Sequence, residues 1–161
     1  MAKTPEASQI STSPQIGAMT EVWIADDVDG LNGFQLFYVQ EVPALKTKKE
    51  AITYSCLEND EEQSVKGIRK AEDLDIPILY AEEQHDDLLL LDKSEEEKYF
   101  FFKLPDSTAV VTGKPLVFYF KASISLANDT IAVEDMLQET ATLYKSTNVE
   151  EMKGLPVAMG A

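Results

Sequence analysis

The chain has 161 residues, and its 14 lysines and arginines face 29 aspartates and glutamates for a net charge of −15. That length fits one domain able to bury roughly 70% of its unfolded surface without a disulfide or metal staple. The anionic excess excludes a protein that grips phosphate backbones, although acidity also serves solubility alone. No segment reaches the ~18 apolar residues of a membrane span, so no membrane partner is expected.

Residues 1–19 are rich in Ser, Thr, Gln and Pro with few large hydrophobes and read as an N-terminal arm. The start, Met1-Ala-Lys-Thr-Pro-Glu6, is followed by polar residues rather than an apolar leader core, so a soluble product made in a cytoplasm is expected. The domain spans 20–145. Glu21–Ile24 is a short strand, and the Asp-Gly and Asn-Gly dipeptides of 26–33 form a turn into a second strand, Phe34–Val42. Pro43 ends that strand. Ala51–Leu57 is a third strand, and its single Cys56 reads as a small buried hydrophobe. Residues 58–71 are polar and read as a mobile loop.

Leu74, Ile76, Ile78 and Tyr80 alternate over Asp73, Asp75 and Pro77, which gives a fourth strand with one apolar face. Pro77 cannot donate a ladder hydrogen bond, so this strand belongs near an edge. Residues 84–92 form one short helix, with Asp86 and Asp87 near its N-terminus and Leu88 and Leu91 one turn apart. An aromatic strand, Lys98–Leu104, turns at Pro105–Thr108 into a return strand, Ala109–Thr112. The strand 116–126 is the best patterned. Leu116, Phe118, Phe120, Ala122, Ile124 and Leu126 face a core, while Val117, Tyr119, Lys121, Ser123 and Ser125 face water or a partner. A last alternating run, from Ile131 to Tyr144, puts Val133, Leu137, Ala141 and Leu143 on one face with Asp135 and Glu139. Residues 146–161 lose the pattern and read as a C-terminal arm. The fold class is mainly β: an antiparallel sandwich or open barrel of about seven or eight strands, with one short helix and two extended arms.

Catalytic constellations are missing from this pattern. The one histidine, His85, has no nucleophile presented by a Gly-x-Ser-x-Gly turn and reads as a surface residue. Asp27, Asp29 and Gly30 fit three positions of a calcium loop, but Ala25 and Leu36 occupy positions that need oxygen ligands, so a hairpin turn is expected. Glu95, Glu96 and Glu97 read as a solvated face. There is no phosphate loop and no Cys/His metal spacing, so neither an enzyme nor a cofactor is expected.

From about residue 50 to 149, the order of elements resembles the tail tube (major tail) protein family of long-tailed bacteriophages. The resemblance rests on the strand Ile52–Asp60 running into an acidic loop and on a strand followed by a Leu-rich helix (Leu74–Leu91). It rests further on the aromatic strand closing on Leu104-Pro105-Asp106 and on Phe118–Ser125. Last comes Asn128–Ile131, leading into the Thr-rich strand that ends Leu143–Thr147. It implies a structural virion protein of the phage tail. Its copies would form hexameric rings stacked into a hollow tube, joined by a long loop and by terminal arms. The implied partners are other copies of the chain, a tape measure protein and a tail terminator. DNA would pass through the lumen during ejection without specific binding. Candidates for the joining loop are 26–34, 42–51 and 58–72, the last two favoured. If each of six subunits gave about four strands, a barrel of about 24 strands at ~4.8 Å would be ~37 Å across, wide enough for a duplex. Such a bore should carry more Asp and Glu than Lys. Tyr119, Met136 and Tyr144 lie on faces the core does not need and serve either self-assembly or core packing. Alternatives are another tail component (a terminator or connector), a secretion-system tube protein, or a monomeric partner-binding β-sandwich.

Overall fold

The computed structural model describes residues 20–46, 48–55, 57–58, 61–69, 72–106, 109, 111 and 113–157. Its elements are β1 (Glu21–Ala25), β2 (Phe34–Leu36), β3 (Ala51–Tyr54), β4 (Gln63–Lys66), β5 (Leu74–Leu79), α1 (Glu82–Ser94), β6 (Lys98–Lys103), β7 (Leu116–Asn128), β8 (Gln138–Lys145) and β9 (Glu150–Lys153). Seven strands make one antiparallel sheet in the order β2-β1-β6-β7-β8-β5, with β9 beside β7; β3 and β4 form a separate hairpin. The expected mainly β fold with one helix is therefore present, with nine strands among the described residues rather than seven or eight.

The sheet curls because one segment touches both of its ends. Residues 34–36 pair with β1, and Val39 then bridges Ile78 of β5. The Gln40 N–H donates to the Pro77 carbonyl (2.8 Å) and the Leu79 N–H to the Tyr38 carbonyl (3.0 Å). Between these contacts Tyr38 takes φ 63°, a conformation disfavoured for any side chain with a Cβ. The Gln84 side chain of α1 holds the kink by accepting from the Phe37 N–H (2.7 Å) and donating to its carbonyl (2.8 Å). The single long strand expected over 34–42 is therefore broken at 37–38. Pro77 lies on the strand that ends the sheet path, as its missing N–H requires.

β7 has β6 along one side and two strands in succession along the other: β8 opposite 122–128, β9 opposite 116–119. The break between β8 and β9 falls at Lys121. There the Ser146 N–H donates to the Lys121 carbonyl (2.8 Å), and the Lys121 N–H donates to the Thr147 hydroxyl (2.9 Å), which stands in for a ladder carbonyl. The sheet thus runs on to Lys153, so 150–153, read from sequence as part of a C-terminal arm, belong to the domain. The proposed N-terminal arm, 1–19, lies outside the described residues, as does Cys56.

Inside the curl sit Val22, Ile24, Leu36, Leu74, Ile76, Ile78, Leu88 and the inward face of β6 to β8. Phe120 stacks between Phe100 and Phe102, with ring centroids 6.2 and 5.6 Å apart. α1 covers this core mainly through Leu88. It begins with Glu82 and Glu83 in the first turn, carries Lys93 in the last, and stops where Glu95 adopts φ 55°. A second apolar layer lies on the outer face: Ala25, Phe101 and Val117, with Trp23, Tyr99, Tyr119, Met152 and Leu155 against them. Alternation placed Val117 and Tyr119 outward correctly, but the β9 segment packs over them.

Two expectations fail for local reasons. Ala109 and Val111 lie in a turn, not a return strand: the Ala109 N–H donates to Asp106, and the Gly113 N–H to Ala109. β8 starts at Gln138, and Val133 is fully exposed in the preceding turn.

At the β1–β2 turn Lys98 reaches Asp26 (2.5 Å) and the Asn32 amide donates to the same carboxylate (2.9 Å). These hydrogen bonds, Lys98's first, hold the Asp26 carboxyl below the usual aspartate range. The stability they contribute is present above the unfolded-state pKa of Asp26 and is lost as pH falls through its lowered folded value. The pair is surface-exposed, so its worth is about 0–1 kcal/mol. Asp26→Asn should therefore lower the melting temperature slightly at neutral pH and not at strongly acidic pH, as thermal melts across that range would show.

Candidate assembly surfaces

β3 and β4 pair as Ala51↔Lys66, Ile52↔Val65, Thr53↔Ser64 and Tyr54↔Gln63. Side chains alternate across a strand, so Ile52, Tyr54 and Val65 share one face with Gln63, and Thr53, Ser64 and Lys66 share the other. No strand of the main sheet pairs with this hairpin. Its apolar face meets solvent: Ile52 is 55% exposed, Tyr54 49% and Val65 48%. An isolated two-stranded hairpin is only marginally stable in water. Covering that face would contribute about 1 kcal/mol per side chain. The base is tight, with the Gly67 N–H donating to the Glu50 carbonyl at 2.6 Å, and a Cβ on Gly67 would sit at 2.6 Å from that oxygen.

A second exposed apolar surface lies where the 37–40 segment meets β5 and the β7–β8 turn. Phe37, Tyr38, Tyr80, Met136 and Leu137 are all exposed large side chains. Backbone bonds tie them together: Leu79 to Tyr38, and the Tyr80 N–H to the Leu137 carbonyl (2.9 Å).

The three residues expected to serve self-assembly do not converge. Tyr119 is partly buried in the outer apolar layer, stacked on Phe101 at 5.9 Å. Met136 is 70% exposed in the β7–β8 turn, and Tyr144 is 45% exposed on β8 opposite Ser123. Sequence reasoning missed the hairpin's apolar face. Its signal was present, since Ile52 and Tyr54 alternate and Val65 mirrors them, but the acidic run 58–62 made the second strand look like loop.

The polar residues singled out from sequence make contacts within the fold. Asp27 Oδ1 accepts the Leu31 N–H (2.9 Å), and Asp26 is taken by Lys98 and Asn32, so the turn consumes both carboxylates. His85 is partly buried rather than a surface residue; its Nδ1 pairs with Glu139 Oε1, whose side chain is buried on β8. Tyr80 packs on the histidine ring at 5.3 Å. The contact ties α1 to the sheet. Among the described residues no group of three His, Cys, Asp or Glu side chains could hold a metal. A cavity of about 850 Å³ between the 39–46 strap and Phe102, Leu104 and Phe118 has Glu41, Lys46 and Glu151 as its charged lining, and Lys46 is bound to Glu151 at 2.6 Å.

No protein-family model matches the chain, and no curated protein matches it. Solved structures share its fold. The anti-feeding prophage tube-terminating cap is 12% identical with a TM-score of 0.68, the match covering 89% of this chain and 93% of that one. A chain from the sheath/tube terminator of the extracellular contractile injection system PVC, in its extended state, is 13% identical with a TM-score of 0.66, covering 88% and 99%. A chain from the PVC sheath–tube complex, also extended, is 15% identical with a TM-score of 0.64, covering 93% and 99%.

Proposed function

We propose that this chain is a structural subunit of a hollow tube of the phage-tail type, acting by assembly with its own copies and catalysing no reaction. The observation that carries this reading is the hairpin: a chain with an adequate core nevertheless holds Ile52, Tyr54 and Val65 about half exposed on a strand pair that, among the described residues, no other strand joins. The fold it shares with chains of contractile injection particles supports the same reading. The joining loop is the 42–72 excursion, which takes in both segments favoured from sequence, 42–51 and 58–72, and the strand between them. Met136 is a contact residue, Tyr144 shares the outer face of β8 with Thr140 and Thr142, and Tyr119 braces the sheet from the outside.

The bore is the outer face of the second half of β7, with β8 and β5. Ser123, Ser125, Gln138, Thr140, Thr142 and Asp75 lie on it, and Thr142 donates to Asp75 (2.8 Å). No lysine or arginine occurs between Ala122 and Tyr144. A wall of hydroxyls and carboxylate offers phosphates no cation to hold, which suits the passage of DNA in a tail that ejects it. Rings are six-fold, and a tape measure protein and a terminator complete the tail. A second reading, the tube of a contractile injection apparatus, is favoured by the structural neighbours, chains of such particles, and needs the same assembly. Sedimentation velocity across a concentration series tests both. The expected result is a boundary at six times the 17.9 kDa chain and larger multiples of it; a lone 17.9 kDa boundary at every concentration contradicts them.

A further inference from the structure

The cavity under the 39–46 strap lies where β1 would continue upstream. Val22 pairs with Leu36, but at Tyr38 the chain swings away from β1, and Val39 bridges Ile78 on β5. The strap is pinned again at its far end, where Lys145 donates to the Leu45 carbonyl (3.1 Å) and Lys46 pairs with Glu151. Between these anchors opens the space of about 850 Å³, walled largely by Val42, Leu45, Phe102, Leu104 and Phe118. Thr20, the first described residue, is part of the same wall. Glu21 pairs with Lys103, so Thr20 falls opposite Leu104.

The residues upstream of Thr20 suit that space. Val22 and Ile24 sit in the inner core, while Trp23 lies in the outer layer. Carried back with the strand period of two, the inward positions are Thr20, Ala18 and Ile16. Pro14 stands just before this run, at the start of a strand where proline is tolerated. Residues 7–20 hold no Asp, Glu, Lys or Arg, the longest such stretch in a chain of net charge −15. They can enter a largely apolar space without burying a charge.

We propose that residues 15–19 extend β1 backwards and seat Ile16 and Ala18 in the cavity of their own chain, beneath the strap. The occupant is the chain's own arm rather than another copy's, because a segment tethered beside its seat has an effective concentration of about millimolar. The seat itself needs no second copy. Its consequence for assembly, which rests on the tube reading, is that the arm fixes the root of the 42–72 loop, since that loop begins within the strap.

Cysteine protection tests the seat in the full chain carrying Cys56→Ser. Ile16→Cys and Ala18→Cys should react with a maleimide at least about ten-fold more slowly than Ser11→Cys, because the arm must first leave the cavity. In urea all three should react alike. Val42→Lys, or Ala44→Trp where the first lowers the melting temperature, fills the seat and should bring Ala18→Cys up to the rate of Ser11→Cys. Equal rates for the three cysteines in the folded protein, or protection that survives a filled seat, overturn the proposal. Protection that fades on dilution means that the arm comes from another copy, and overturns it too. Protected cysteines in a chain that sediments as a monomer at every concentration support the seat and count against the tube alone.

Discussion

Ile52→Glu combined with Val65→Glu is expected to abolish assembly while leaving the melting temperature of the single chain within about 2 °C of wild type, a shift that corresponds to less than about 1 kcal/mol in a domain of this size. The two residues face each other across the hairpin, and both are half exposed in the free chain. There the new carboxylates remain hydrated, so the sheet, which does not rest on the hairpin, loses little. Buried in a contact between copies, the same carboxylates would be unpaired at a cost of several kcal/mol. Each 1.4 kcal/mol is a factor of ten in affinity, so the association constant should fall by at least about a hundred-fold. Thr53→Glu, one residue away on the opposite face, is the matched control and should leave assembly within a few-fold of wild type. Sedimentation velocity and a thermal melt on the same three proteins separate the effects. Equal loss of assembly in Thr53→Glu would mean that charge in general, and not the apolar face, governs the contact.

Phe120→Ala should do the reverse, by unfolding the subunit itself. The ring is buried between Phe100 and Phe102, and Lys145 Nζ lies 6.0 Å from its centroid while donating to the Leu45 carbonyl (3.1 Å). Its removal leaves a cavity flanked by two rings that β6 holds in place and by an ammonium that loses its aromatic neighbour. Truncation of a buried phenylalanine costs about 3–5 kcal/mol. Against a total stability of about 5–15 kcal/mol, that is a large share, and it corresponds to a fall in melting temperature of about 10 °C. Leu90→Ala, on the solvent side of α1 where the side chain is 68% exposed, should shift stability by no more than about 0.5 kcal/mol. Urea titrations of both variants would check the contrast, and equal losses would show that burial in this core is not what stabilises the fold.

What could be read from the residues follows from how local each signal is. β5, β7 and α1 were legible because their apolar period repeats over many residues, and the inward set of β7, from Phe118 to Leu126, joins the core as alternation requires. The kink at Tyr38 was not legible. It depends on Gln84, which is 47 positions away in sequence and reachable only once the sheet has curled. The same holds for β9: Glu150–Lys153 has no strand pattern of its own and becomes a strand because the free edge of β7 beyond Lys121 supplies partners. Alternation also says that two faces exist without saying whether both are covered, so Tyr119 was grouped with Tyr144 although one is packed and the other is open. The exposed apolar surface was half visible. Met136 and Tyr144 were assigned to faces the core does not need, and both are exposed. The hairpin hid behind its acidic tip, and Phe37 and Tyr38 were absorbed into a strand they interrupt.

Electron microscopy of the concentrated protein tests the central claim most directly. The account predicts striated hollow rods, or six-fold rings with an open centre, whose wall contains the 51–66 hairpin wedged between neighbouring subunits. Particles of single-chain size with the hairpin bare at every concentration would contradict it.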